Sequence, residues 1–275
     1  MKTILVPTDF SDGAFNALIH ALELAKLLDY NIEVIHAYSM PTTGSAIMVN
    51  ITEILEKNAL EELELLKQRV NKLPNTAEVV ISYRALHGPV VDVINRLSKK
   101  AGTEFVVMGT QGASGITDKW LGTNASDAVR HVEDPLLVVP SNLAYKNIDK
   151  IMFATDLKVV DNEVRLRFIS ELAKVSHAKI EFLHIKKHGE EVDQIKLEEY
   201  RSQLNRAFGE SRSRITFQDD DQVDEGIHHG IETHRPDILV LVRHDYGFFE
   251  GLFRNSMSRK LISESKLPIL VLQDK

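Results

Sequence analysis

Residues 106–123 read VVMGTQGASGITDKWLGT, an apolar run that stops at Gly109 and then spaces its small residues as Gly109-x2-Gly112-x9-Gly122-Thr123. Glycine lets backbone come close to a bound molecule. A helix beginning at Gly122-Thr123 would offer unpaired N–H groups and the positive end of its dipole. This spacing suits a phosphate-bearing ligand, with Gly109 and Gly112 beside a sugar or phosphate and Gly122 and Thr123 at further phosphate oxygens. Turn formation explains the same residues: Gly109 ends a strand, Gly112 turns the chain and Thr123 caps a helix. Neither G-x-x-x-x-G-K-[ST] nor a G-x-G-x-x-G after the first strand-like run occurs.

Such residues act only if regular elements hold them. Ile4–Val6 is a β-rich run, and Ser11-Asp12 is a fitting N-cap before Ala14, Leu18, Ala21, Ala25 and Leu28, one face of a helix. Ile32–Tyr38 reads as a strand and Met40–Met48 as a loop. Ile51, Leu55, Ala59, Leu63, Leu66 and Val70 mark a long amphipathic helix. Glu78–Tyr83 (strand), Pro89–Lys100 (helix), Phe105–Met108 (strand), Asn124–Val132 (helix) and Leu136–Val139 (strand) complete the pattern. Apolar strands alternating with helices predict an α/β fold with a parallel sheet covered on both faces.

The pattern is written twice. KTILVPTDF recurs as KIMFATDLK from Lys150, NIEVIHAY from Asn31 as KIEFLHIKK from Lys179, and DPLLVVP from Asp134 as LPILVLQ from Leu267. Three segments in the same order imply duplication. Two domains, 1–141 and 148–275, are expected, joined by a linker over 141–147. A net charge of −7 gives no electrostatic reason to expect a nucleic-acid partner, and the absence of cysteine excludes disulfides and thiolate chemistry. The opening run is too short for a signal-peptide core and no run approaches membrane-spanning length, so a soluble, cytoplasmic protein is expected.

The opening ILVPTDFS, the strand ending in His36-Ala37 and the Gly109-x2-Gly112-x9-Gly122-Thr123 pattern together resemble the universal stress protein family in a tandem, two-domain form. The glycines resemble those of its ATP-binding branch. The resemblance implies two adenine-nucleotide α-hydrolase-like (Rossmann-like) domains, each a five-stranded parallel sheet flanked by helices. It also implies ATP, accompanied by magnesium, as ligand. By position, Thr8, Asp9 and Ala37 would line the adenosine part, and Met108, Gly109 and Gly112 would flank ribose and phosphates. Gly122, Thr123 and Asn124 would bind phosphates. It further implies that Leu136–Val139 and Ile269–Leu272 pair within one chain, and a homodimer is compatible with it.

In the second copy Val242 stands opposite Gly109, Asp245 opposite Gly112 and Asn255-Ser256 opposite Gly122-Thr123. Bulk and negative charge there predict a degenerate site and one nucleotide per chain. Phe248, Phe249 and Phe253 could fill the vacancy. His36 and His184 read as structural, and the Asp224/His228 and Glu225/His229 pairs as a solvated helix face. Efficient phosphoryl transfer needs a nucleophile, metal ligands and charge stabilisation. Only backbone cradling, with Asp9 or Thr123 near a metal, is assignable. The expectation is a nucleotide-responsive stress module with at most weak ATPase activity. Its rivals are a nucleotide-free interaction scaffold and an enzyme cleaving the α–β bond of a nucleotide.

Overall fold

A computed structural model describes residues 1–39, 48–74, 76–99, 102–110, 122–157, 163–209, 213–244, 262 and 265–274. The described residues fall into two compact units, which meet between Leu143 and Ala144. In the first unit the elements are β1 (Thr3–Pro7), α1 (Asp12–Leu28), β2 (Asn31–Tyr38), α2 (Met48–Val70), β3 (Ile81–His87), α3 (Val90–Ser98), β4 (Thr103–Gly109), α4 (Thr123–His131) and β5 (Leu136–Val139). All strand neighbours are parallel, in the order β3-β2-β1-β4-β5. The second unit repeats this with β6 (Lys150–Thr155), α5 (Glu163–Ser176), β7 (Lys179–Lys186), α6 (Gln194–Phe208), β8 (Ser213–Asp219), α7 (Val223–His234), β9 (Ile238–His244) and β10 (Ile269–Asp274). Its order is β8-β7-β6-β9-β10, again parallel.

These sheets follow from sequence. Ile4, Leu5, Val6, Phe105, Val106 and Val107 are wholly buried, as strands covered on both faces require. Right-handed crossovers place α1 and α2 on one face and the contacting pair α3 and α4 on the other. One strand differs from expectation. Thr76–Glu78 forms a single 3-10 turn and β3 starts only at Ile81, because the pairing of Ile32 with Ile81 sets its first rung. The expected loop over 40–47 lies outside the described residues, and Met48 already belongs to α2.

The duplication reaches backbone torsions. After β1, Phe10 takes a left-handed conformation (φ 65°) and its N–H donates to Thr8 Oγ1 at 3.0 Å. After β6, Leu157 does the same (φ 60°), donating to Thr155 Oγ1 at 3.0 Å. A left-handed residue also follows each first helix, Asp29 at φ 57° and His177 at φ 58°. Side chains rarely adopt this conformation, so its recurrence at matched sites marks a common local design.

The end of the first unit is tied to α1. Asn16 Nδ2 donates to the carbonyl oxygens of Pro140 (3.0 Å) and Leu143 (2.9 Å), and His20 Nε2 donates to Leu143 O at 2.9 Å. Burial lowers the His20 pKa below its ordinary value, partly opposed by the hydrogen bond to Leu143. The fold therefore disfavours imidazolium. In the unfolded chain His20 titrates near ~6.5, so its neutral-state stability is complete above that pH and declines as pH falls below it. Urea denaturation followed by circular dichroism should show the wild type losing more stability between pH 7.5 and 5.5 than His20→Gln. Equal losses would mean that this histidine does not carry the pH dependence.

Candidate functional site

In the first unit, β2 and β3 are added on one side of β1 while β4 and β5 lie on the other, so the chain reverses direction between β1 and β4. Beyond the carboxyl ends of strands at such a point, loops diverge and leave a crevice. A cavity of about 290 Å³ opens there. Thr8, Asp9, Ala37, Met108, Gly109, Gly122, Thr123 and Asn124 all line it; Gly112 lies outside the described residues, as do Lys119 and Trp120. Pro7, Ala14, His36, Val90 and Ala125 complete the lining.

The cavity has two chemically distinct parts. Pro7, Ala37, Val90 and Met108 supply an apolar wall. Polar groups come from Thr123 and Asn124 at the start of α4 and from Thr8 and Asp9 after β1. The starts of three helices contribute residues: Ala14 of α1, Val90 of α3 and Thr123 of α4. Ser11 caps α1, accepting from the Ala14 N–H at 3.2 Å, whereas neither α3 nor α4 has a side-chain cap. First-turn N–H groups have no intrahelical acceptors, and helix N-termini carry partial positive charge. The described lining holds no lysine or arginine. An anion here would rest on helix N–H groups and neutral hydroxyl and amide donors.

The Asp9 carboxylate is fixed by its own turn. Its Oδ1 accepts from the Ser11 hydroxyl at 2.6 Å and the Ser11 N–H at 3.2 Å. Asp9 therefore stabilises the approach to α1 by capping the cap residue, and still borders the cavity. His36 is held as firmly: Nδ1 donates to Thr8 O at 2.8 Å, and its ring stacks on Phe10 with centroids 4.5 Å apart. Its twin His184 repeats the bond to Thr155 O at 2.9 Å. The histidines are structural pins, each of which also lines the opening at the strand ends of its own unit.

Gly109 has a packing duty independent of any ligand. A Cβ at this position would stand 2.8 Å from Gly13 O and 2.9 Å from its carbonyl carbon. Gly109 thus lets the first turn of α1 close over the end of β4.

The second unit answers the same geometry differently. Gly109 pairs with Val139, and the matching rung joins Val242 to Leu272. Ile185 holds the β7 position that corresponds to Ala37, and it packs against Gly226, where an added Cβ would meet Ile185 Cγ2 at 2.7 Å. At the ends of β6 and β7 a depression of about 440 Å³ is lined by Asp156, Glu190, Glu191, Asp193 and Glu199 against one lysine, Lys196. Asp193 also caps α6, accepting from the N–H groups of Ile195 and Lys196. Such a wall repels phosphate. Asp245, Phe248, Phe249, Phe253, Arg254, Asn255 and Ser256 lie outside the described residues.

On α7, His229 Nδ1 sits 3.3 Å from Asp220 Oδ2, and His234 Nδ1 3.0 Å from the buried Glu181. Among the described residues no three His, Asp or Glu side chains gather closely enough to hold a metal ion, and no helix is long and apolar enough to cross a membrane.

A family model described as the universal stress protein family matches residues 1–140. A universal stress protein of Methanocaldococcus jannaschii is 31% identical over 144 residues, which cover 50% of this chain and 81% of that one. One from Synechocystis sp. is 22% identical over 292 residues and matches end to end, covering 98% of this chain and 99% of its own. The crystal structure of a universal stress protein from Archaeoglobus fulgidus has the same two-unit fold, with a TM-score of 0.72 at 19% identity, over 99% of this chain and 96% of that one.

Because backbone atoms of α1 stand in the way, Gly109→Ala should destabilise the first unit by about 1–3 kcal/mol with no ligand present. Chemical denaturation of the full chain checks this. Unchanged stability would mean that α1 can shift aside and that the glycine is not a packing requirement.

Proposed function

Because this chain belongs to the universal stress protein family, we propose that it binds ATP, one molecule per chain, in the cavity of the first unit and acts as a nucleotide-responsive stress module in the cytoplasm. The observation that carries this reading is convergence. Residues selected from four separate sequence segments line one crevice, whose lining combines apolar side chains with an uncapped helix start.

In this reading Ala37, Val90 and Met108 hold the adenine and ribose, Ala37 being small enough to admit a ring. Gly122, Thr123 and Asn124 receive phosphates through first-turn N–H groups, the Thr123 hydroxyl and the Asn124 amide. A triphosphate brings several negative charges to a lining that, where described, has no basic side chain, so an accompanying magnesium ion fits the donor set. Asp9 and Thr123 are the residues that would face it. Magnesium would supply charge neutralisation. Asp9 Oδ1 already accepts from Ser11, His36 is bonded through Nδ1 to Thr8 O, and no other carboxylate or imidazole lines the cavity among the described residues. Binding rather than rapid hydrolysis is the activity these groups support.

The second unit contributes no nucleotide site in this proposal. Val242 thickens the glycine position, Ile185 puts a larger side chain at Ala37's counterpart, and the acidic lining opposes phosphate.

The test is a calorimetric titration of ATP with magnesium into the full chain, beside Ala37→Ile, which transplants the second unit's residue into the first. One equivalent should bind to the wild type, and the variant should lose at least about tenfold in affinity, ~1.4 kcal/mol. Two equivalents would overturn the single-site reading. No binding to either protein would move the assignment to a nucleotide-free scaffold, and steady release of ADP or AMP would make it an enzyme.

A further inference from the structure

The two copies of the first helix align without a gap. Leu18 matches Leu166, and Glu23-Leu24-Ala25-Lys26 matches Glu171-Leu172-Ala173-Lys174. The same register sets Ile19 opposite Arg167 and Leu22 opposite Ser170. In the first unit Leu22 is a buried core residue. In the second, its replacement by serine is accompanied by a cleft of about 210 Å³ between α5 and α6.

Arg167 and Ser170 of α5 and Gln203, Arg206 and Ala207 of α6 line this cleft. Ser170 Oγ donates to Ala207 O at 2.8 Å, which ties the two helices together beneath it. Ser170's hydroxyl proton is thereby used, and the floor is held rigid. Neither guanidinium has a carboxylate partner among the described residues, although acids outnumber basic residues 40 to 33 in the chain. Arg69, Arg84 and Arg201 pair with Asp12, Glu33 and Glu198, whereas Arg167 and Arg206 line the same cleft together. Two like charges facing one cleft repel each other unless an anion lies between them.

We infer that this α5–α6 cleft is a binding site for a small oxyanion of phosphate size, free or as the terminal phosphate of a small ester. Guanidinium groups present planar forks of N–H donors that match phosphate oxygens. At about 210 Å³ the cleft is smaller than the first-unit cavity of about 290 Å³, which suits a ligand smaller than a nucleotide. It is on the second unit and uses none of the residues assigned to nucleotide, so it stands or falls independently of the ATP reading.

The experiment is an NMR titration of the 15N-labelled full chain with inorganic phosphate, chloride holding ionic strength constant, and a parallel titration with glycerol phosphate. Amides of Ser170 and Ala207 should shift and saturate, while those at the start of α4 report separately on the first-unit cavity. Arg167→Gln and Arg206→Gln should each weaken the α5–α6 response about tenfold, and the double variant should abolish it. Both side chains are exposed, so the variants should fold; unchanged spectra elsewhere would establish that. Tighter binding of the ester would identify a phosphate monoester as the occupant, and tighter binding of phosphate the free ion. Unmoved α5–α6 amides, or an equal response in the double variant, would overturn the assignment.

Discussion

The start of α1 lies so near the end of β4 that a methyl group on Gly109 would stand 2.8 Å from the carbonyl oxygen of Gly13. Much of the first unit depends on that approach. It sets α1 across β1 and β4, the two strands that flank the reversal in sheet order. It brings Ala14 to the rim of the cavity, and it leaves the turn of residues 8–11 little freedom. That turn is then locked by short-range bonds: Phe10 N–H to Thr8 Oγ1, Ser11 to Asp9, Ala14 N–H to Ser11 Oγ. A crevice exists because backbone replaces side chain at the one point where strand and helix meet. The same glycine that makes close packing feasible also exposes the end of β4 to a ligand.

The second unit separates fold from site. It keeps the parallel order, the left-handed residue after its first strand and the histidine bonded back to the preceding turn. These features stabilise the backbone and are indifferent to what lies beyond the strand ends. The acidic residues around Lys196 change what a visiting molecule would meet, while Val242 and Ile185 are buried within the unit. Ile185 is accommodated by Gly226, and Leu183 likewise by Gly230, where a Cβ would approach Leu183 Cδ2 closely. The larger Ile185 is thus accommodated by a glycine on the helix that covers it, so the core stays filled.

The arrangement of strands and helices was legible because buried parallel strands leave unbroken apolar runs and α1 carries a regular apolar face. Boundaries read less well: Val79-Val80 looks strand-like, yet Val80 is 65% exposed and the first rung of β3 waits for Ile81. The cavity was largely legible from Thr8, Asp9, Ala37 and the glycines. His36 as a wall was not, since one side chain serves two purposes and sequence signals only the first. Nor was Ile185 as a filler, because isoleucine in a strand is unremarkable until its neighbour Gly226 is known. The packing duty of Gly109 was hidden for the same reason: Gly13, its partner, is distant in sequence.

Electrostatics links these observations. A chain with net charge −7 attracts no anion by its overall field. In the proposed reading local fields do so: helix starts at the first-unit cavity add partial positive charge without a basic side chain that could pair with nearby acids. Two of its three helix starts lack a side-chain cap, leaving their N–H groups for an external acceptor. In the second unit Asp193 satisfies the start of α6 from within. An internal carboxylate and an external phosphate compete for the same kind of N–H groups, so a capped helix start beside an acidic wall is closed to anions. That contrast turns on strand-end side chains and an acidic wall rather than on the fold, since α7, the counterpart of α3, also lacks a side-chain cap. One architecture can therefore carry an anion-accepting cavity in one copy and an anion-excluding one in the other.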